Sequence, residues 1–328
     1  MQEVASQSSS DACRLRRSWD LVICKRKTMN PFERDGYSVI RSLLTEKEIT
    51  EYRQQIQRLS GICDTDYKNK VFACPDGVSR NREFWPLIYS DRLVSEVEKL
   101  SGRSVRYTQH SDLHAHRTGG WHRDCACRQF GVGPDWDERE EPYQVVRVAI
   151  YLQSYEESGS ALGVVPGSHR YEKALSDREW KIWLRRTRGS LFNRISRQIQ
   201  GLPLVDIPPR RMTMWTKPAQ DIATDEPTQP VWIPTGPGDC VIFDQRLYHS
   251  ASNIFGPKYA IYLSYSPENR HSRNHMGYYR HIRTDLGYSE LEPELIERLK
   301  QRGLYMDAPP PDKVDRFFAN GLQRIDAK

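Results

Sequence analysis

Between residues 37 and 265, apolar positions recur mostly with the period of two that marks half-buried strands. Tyr37–Ile40 reads as a short strand running into Leu43 and Leu44. Val105–His110 predicts a strand carrying polar residues, and Gln144–Gln153 is packed with β-branched and aromatic residues over one sheet crossing. Gly159–His169 predicts a tight turn, a brief strand and a second turn. Strand patterning resumes at Val231, runs through a Pro237-Gly238-Asp239 turn into an apolar strand ending on His249, and returns at Tyr259–Tyr265. Helical periodicity is confined to a few places. Thr45-x-x-Glu48 has the form of a capping box opening a helix to about Leu59. Asp91–Leu100 is a second helix stopped by Ser101-Gly102, and Pro293–Arg302 is a short amphipathic one. Residues 60–80 read as a loop.

Short strands with Gly and Pro turns, preceded by helices, predict a mainly β core with flanking helices, as a small barrel or jelly roll. Residues 1–28 are polar, Ser-rich and then basic, a disordered lead before a domain over 29–305, with Met29 a candidate start. Residues 131–142 form an acidic loop. The strand rhythm breaks over 170–230, where Asp177–Ile199 is helical in composition and carries Lys181, Arg185, Arg186, Arg188, Arg194 and Arg197. Because strands resume afterwards, this is an insertion and candidate lid, not a second domain. Its arginines read either as a solvated helix face or as a cover over an anionic substrate. Residues 306–328, with Pro309–Pro311, form a loose tail.

Composition narrows the function classes. The 328 residues carry a net charge of +6, which would suit an anionic small-molecule ligand but falls short of a nucleic-acid binder. No apolar run reaches the length of a membrane span, and no secretory h-region is present. Seven cysteines without a framework suggest reduced thiols and a cytoplasmic setting. Cys125-x-Cys127 has no second pair at zinc spacing and reads as filler.

The candidate chemistry centres on Gly119–Asp124. In an extended strand His122 and Asp124 project from one face, so an imidazole and a carboxylate can grip one ion. A third ligand must come from elsewhere, and His249 is the best candidate. Two histidines and a carboxylate with other positions open are the facial triad of non-haem Fe(II) oxygenases. His110, His114 and His116 precede the motif, and we expect one to face the pocket while the others are solvated or hydrogen-bonded. Trp121 and Tyr248 flank the ligands as packing residues, His169 is expected to be structural, and Asp244 either packs or supports a ligand.

Gly120–Asp124, the strand Arg147–Gln153, the turn Ser158–His169 and Pro237–His249 together resemble the phytanoyl-CoA dioxygenase family over about residues 30–285. The resemblance implies a double-stranded β-helix (jelly roll, cupin-like) that uses Fe(II), 2-oxoglutarate and O2. It also implies His122, Asp124 and His249 as iron ligands. In this family a basic residue, usually arginine, on the strand after the distal histidine binds the far carboxylate of 2-oxoglutarate. Here the matching position is Lys258, nine residues after His249, which lacks a guanidinium's fork. Arg147, Arg270 and Arg273 are the other candidates. Related halogenases carry Gly or Ala where Asp124 stands, so the resemblance favours hydroxylation over halogenation.

The expected activity is thus oxidation of a C–H bond in a small, polar metabolite with release of succinate and CO2. Two other readings use the same residues: a barrel that only binds, and a zinc hydrolase on the same triad. No convincing general base supports the hydrolase.

Overall fold

The structure, a computed structural model, describes residues 30–120, 122–124, 141–170 and 230–310. The N-terminal lead, most of the acidic loop, the helix expected over 177–199 and the tail beyond 310 fall outside these residues.

Among the described residues, ten strands form two antiparallel sheets. They are β1 (Tyr37–Ile40), β2 (Phe72–Pro75), β3 (Arg106–Tyr107), β4 (Asp112–Ala115), β5 (Val146–Tyr151), β6 (Ala161–Val164), β7 (Val231–Pro234), β8 (Cys240–Asp244), β9 (His249–Ala251) and β10 (Tyr259–Ser266). The larger sheet runs β1-β8-β5-β10-β4-β2, with β3 also paired to β10, and the smaller runs β7-β6-β9. From β5 onward the chain passes from the large sheet to the small one and back twice. That path makes a double-stranded β-helix.

Side-chain alternation builds the two cores. Val146, Val148 and Ile150 of β5, with Cys240, Ile242, Ile261 and Leu263, face the helices. There they meet Ile56 of the Glu46–Ser60 helix, Leu93 and Val97 of Asp91–Ser101, and Leu295 and Leu299 of Pro293–Gln301. Each fully buried aliphatic contributes roughly 1.5–3 kcal/mol. The intervening residues Ala149, Tyr151, Val241, Phe243 and Ala260 turn the other way and pack on Leu162, Val164, Val231 and Ile233 of the small sheet. Polar members of that inner face, among them Arg147, His114 and Tyr262, line the interior cavity.

Two turns recognised in the sequence hold the sheets in register. At Pro237-Gly238-Asp239, Gly238 has φ +76, and an added Cβ would lie 2.9 Å from the Leu44 carbonyl oxygen. Asp239 accepts from the Gly236 and Ser42 amides (2.7 and 2.9 Å) and pairs with Arg41. At Pro166–His169, Ser168 Oγ accepts from the Tyr248 amide at 2.8 Å, and His169 Nε2 meets the Glu33 carbonyl at 3.1 Å. His169 is therefore structural, as expected, and its turn fixes the start of β9.

Several local expectations are corrected. Residues 60–80 hold a 3-10 turn (Asp64–Lys68), the strand β2 and a short helix (Gly77–Arg80) instead of a plain loop. Their apolar content is too sparse to show a period. The strand expected over Val105–His110 is reduced to β3, because Gln109 adopts φ +61 and ends the extended run. The apolar strand from Cys240 stops at Asp244, where the Leu247 amide returns to the Asp244 carbonyl at 2.9 Å. His249 thus opens β9 in the opposite sheet; it does not end β8. Residues 270–288, for which no element is predicted above, fold into a helix (Arg270–Gly277), a π-turn (Tyr278–Ile282) and a 3-10 turn (Arg283–Leu286).

Candidate metal centre

His122 and His249 are brought together by backbone pairing. Each donates its amide to the other's carbonyl at 2.9 Å, an antiparallel bridge on the edge of the small sheet. The Asp124 amide bonds the Gln245 carbonyl at 2.9 Å, so the segment runs along the β8–β9 connection. The expected full strand through His122 and Asp124 is thus a single bridge among the described residues.

The side chains converge. His122 Nε2 lies 3.4 Å from Asp124 Oδ1, and His249 Nε2 lies 3.6 Å from Asp124 Oδ2. One ligand atom from each of the three falls within 4.8 Å of the others. Metal bonds of about 2.1 Å put neighbouring donors roughly 3–3.5 Å apart; both His–Asp separations are already close to that size, and the wider spread of the cluster must contract to close on one ion. The other ring nitrogens are already engaged: His122 Nδ1 with the Gly120 carbonyl (2.6 Å) and His249 Nδ1 with that of Leu247 (2.9 Å). Such bonds fix the ring orientation and leave both Nε2 atoms for a metal. His122 is exposed and His249 buried, which gives the cluster one open side.

Electrostatics agree with ligation. Burial, with the neighbouring His122, pushes the His249 imidazole down to about 4, so it is neutral at pH 7. Burial alone would raise the Asp124 carboxyl, but His249, His122 and Arg147 together hold it well below the usual carboxylate range. The result is a neutral His249 imidazole beside an ionised Asp124 carboxylate.

A cavity of about 410 Å³ opens beside the cluster. Its apolar lining includes Leu162, Phe243 and Ala251, and its polar lining includes Asp112, Arg117 and Arg147. His110 and His114 both line it, where only one histidine was expected. Residues 110, 112 and 114 share one face by alternation, while His116 leaves the series at φ +57 and bonds the Cys63 carbonyl through Nε2 at 3.0 Å.

The cation candidates are placed differently. Lys258 immediately precedes β10 on the register of Ala260 and Tyr262, is 1% exposed, and donates Nζ to the Arg117 carbonyl at 2.7 Å. Burial, reinforced by Arg117, pushes its ammonium down to about 8. Arg147 pairs with Asp112, donates to the His110 carbonyl and stands 3.6 Å from Asp124 Oδ2. Arg270 bonds Glu141 through its amide and Arg273 pairs with Glu268; neither of their side chains, nor that of Lys258, lines the cavity, whereas Arg147 does. Asp244 binds Arg246 through both oxygens, bracing the turn before His249. Trp121, Cys125 and Cys127 lie outside the described residues, while Cys63, Cys74 and Cys240 are free thiols. Asp112, Arg117, Tyr279, Arg283 and Tyr288 line the cavity without having been singled out; the alternation through His110 and His114 could have marked Asp112.

The phytanoyl-CoA dioxygenase (PhyH) family model matches residues 32–259, well over half of the chain. The chain belongs to the phytanoyl-CoA dioxygenase family. Fe(II) and 2-oxoglutarate are the cofactors of this family, with O2 as the oxidant, and the protein is an oxygenase-type enzyme of that kind. The donor set above fits that ion. Among solved structures, HygX from Streptomyces hygroscopicus, with nickel and 2-oxoglutarate bound, is similar at 16% identity and TM-score 0.47 over 72% of this chain and 84% of that one. EctD from S. alaskensis, with 2-oxoglutarate and 5-hydroxyectoine, is similar at 18% identity and TM-score 0.45 over 72% and 73%. SnoN, a non-heme alpha ketoglutarate dependent epimerase from nogalamycin biosynthesis, is similar at 17% identity and TM-score 0.43 over 72% and 79%. No curated protein sequence matches the chain. No helix among the described residues of this family member is long and apolar enough to cross a membrane.

Proposed function

We propose that the protein hydroxylates a C–H bond of a small, polar metabolite, with His122 Nε2, the Asp124 carboxylate and His249 Nε2 holding Fe(II). The observation that carries this reading is the convergence of three ligand atoms whose rings are already oriented by backbone carbonyls. When bound there, the iron would supply the oxidising chemistry that couples conversion of 2-oxoglutarate and O2 to succinate and CO2 with insertion of one oxygen atom into the substrate.

The chain's own residues bind, orient and shield. Burial keeps His249 neutral, and the carbonyl contacts at both Nδ1 atoms turn the two Nε2 lone pairs toward the ion. Arg147 holds the Asp124 carboxylate from behind, limiting its rotation. Lys258 is the cation for the far carboxylate of 2-oxoglutarate. An unpaired carboxylate inside the barrel is costly, and this ammonium has a carbonyl as its hydrogen-bond acceptor, with no anionic partner among the described residues. Phe243, Leu162 and Ala251 keep the wall beside the triad dry.

Succinate release in the presence of Fe(II), 2-oxoglutarate, O2 and a panel of small polar metabolites tests the proposal. Oxygen-dependent succinate above the substrate-free rate, with a product heavier by one oxygen atom, is expected. Metal-dependent hydrolysis without succinate would overturn it.

A further inference from the structure

The residues after the family match supply one wall of the active cavity. The match ends at residue 259, and the cavity wall opposite the sheets is built from Tyr279, Arg283, Leu286 and Tyr288. This cap is specifically constructed. Asn269 caps its first helix, with Oδ1 accepting the Ser272 amide at 2.9 Å. That helix continues directly into the π-turn at Tyr278–Ile282, a widened backbone that often marks functional sites. Gly287 at φ +84 ends the following 3-10 turn and lets Tyr288 fold back.

Cap and metal cluster are wired together. Tyr279 stacks on His110 with ring centroids 3.8 Å apart, and its hydroxyl reaches the Asp124 carbonyl at 3.4 Å. Tyr288 donates to Asp112 Oδ1 at 3.1 Å, and Asp112 in turn pairs with Arg147. Arg283 is the cap's cation in the cavity. Its Nε and Nη2 fork onto Asp285 at 3.0 and 3.3 Å, and the Tyr278 hydroxyl is a further hydrogen-bond partner of the guanidinium. The Arg283 side chain is 9% exposed and that of Asp285 41%, so the carboxylate sits on the solvent side and the guanidinium toward the cavity. The other cations of the cavity have different places. Arg147 is taken by carboxylates and Arg117 is exposed beyond the end of β4, while Lys258, outside the lining, sits beside His116, four residues along from Asp112, roughly 13 Å at the rise of a strand.

We propose that the Tyr278–Tyr288 cap is the substrate-selecting wall, and that Arg283 receives an anionic group, a carboxylate or phosphate, of a substrate whose apolar or aromatic part lies against Leu286 and the cap tyrosines. The inference rests on the oxygenase reading, and it names the substrate class as a small organic acid. Arg283 is a specificity residue here, aimed at the substrate end remote from the reacting carbon.

The test uses the full-length protein loaded with Ni(II) and 2-oxoglutarate, which fills the co-substrate position without turnover. Benzoate and phenyl phosphate are titrated by calorimetry, with benzyl alcohol as the uncharged control. The two anions are expected to bind at least about ten-fold more tightly than the alcohol, the scale of one charge-assisted hydrogen bond. Arg283→Gln should remove that preference and leave 2-oxoglutarate affinity at the wild-type value; Arg283→Lys should keep most of it. Equal binding of anions and alcohol by the wild type, or an unchanged preference in Arg283→Gln, would overturn the proposal. Wild-type protein that takes up neither Ni(II) nor 2-oxoglutarate would instead refute the oxygenase reading, and titration of the metal-free protein would still read Arg283.

Discussion

Arg147 stands between two carboxylates, with Nη2 paired to Asp112 and Nε 3.6 Å from Asp124 Oδ2. All three side chains face the interior, and the guanidinium is 3% exposed. One buried cation on the inner face of the large sheet therefore keeps two acids compatible on adjoining walls of one cavity. Arg147→Met would leave those acids facing each other without a counter-charge. Removing one partner of a buried pair costs about 3–5 kcal/mol, so the metal-free variant should be destabilised by that order in chemical denaturation. Loading with Ni(II) should restore part of the loss, because the ion neutralises Asp124. Equal destabilisation with and without metal would show that Arg147 serves packing alone.

Lys258 gives the account a pH signature. Its ammonium is depressed from the ordinary 10.5 to about 8 by burial and then by Arg117. Below about pH 8 the group is charged and can receive a carboxylate; above it the charge is lost. The kcat/KM for 2-oxoglutarate should therefore fall as pH rises through 8. The folded state disfavours the charged form, so this group's contribution to stability moves the other way, growing between pH 8 and 10.5. Lys258→Ala should raise the KM for 2-oxoglutarate about ten-fold or more with metal affinity unchanged. Lys258→Arg should remove the alkaline fall, and a fall that persists in that variant would assign it to another group.

Gly256 sets the approach of Lys258 to the barrel. An added Cβ would sit 2.0 Å from the Glu157 carbonyl oxygen, so Gly256→Ala must push the Gly256–Lys258 segment away from the Glu157–Ser158 turn. A loss of at least roughly 1–3 kcal/mol and a higher KM for 2-oxoglutarate are expected together. Gly61→Ala is the contrast: φ is +65 but nothing lies within 4 Å, so only backbone strain of about 1–2 kcal/mol applies. An unchanged KM in Gly256→Ala would show that the lysine is not held by that segment.

Asp76 carries a second pH dependence away from the metal. Burial raises its carboxyl from 3.8 to about 7, against the hydrogen bonds from Ser79 and Gln109. A raised acid favours folding when protonated, so its contribution is complete below pH 3.8 and is lost progressively up to about 7. Asp76→Asn should flatten the stability profile across that window, with a difference of a few kcal/mol at pH 8. Parallel profiles for the two proteins would contradict the assignment.

The strands were legible in the sequence because they depend on local order, and the three residues of the candidate metal cluster because their types and flanking turns mark them. Alternation through Val146–Tyr151 and Tyr259–Ser266 marks both faces of the large sheet, and glycines at 167 and 238 mark turns that demand positive φ. His249 was legible as a candidate ligand but not as the first residue of β9, since the reversal at Asp244–Leu247 carries no Gly or Pro to mark it. Arg147 was singled out as a candidate for 2-oxoglutarate, whereas the structure surrounds it with Asp112 and Asp124, contacts that depend on register between β4, β5 and β10. The cap at 270–288 was not legible. Its helix buries histidines and tyrosines instead of an aliphatic stripe, so no hydrophobic period announces it.

The central claim, that His122, Asp124 and His249 form one metal site serving 2-oxoglutarate, is tested most directly by anaerobic Fe(II) titration of the wild type and the three single alanine variants, followed by succinate release on admitting O2. One ion per chain in the wild type is expected. Each variant should lose at least about 100-fold in Fe(II) affinity, since outer partners alone are worth 10–100-fold, and all 2-oxoglutarate turnover, with its far-ultraviolet dichroism unchanged. A His249→Ala protein that binds Fe(II) and releases succinate like the wild type would contradict the account.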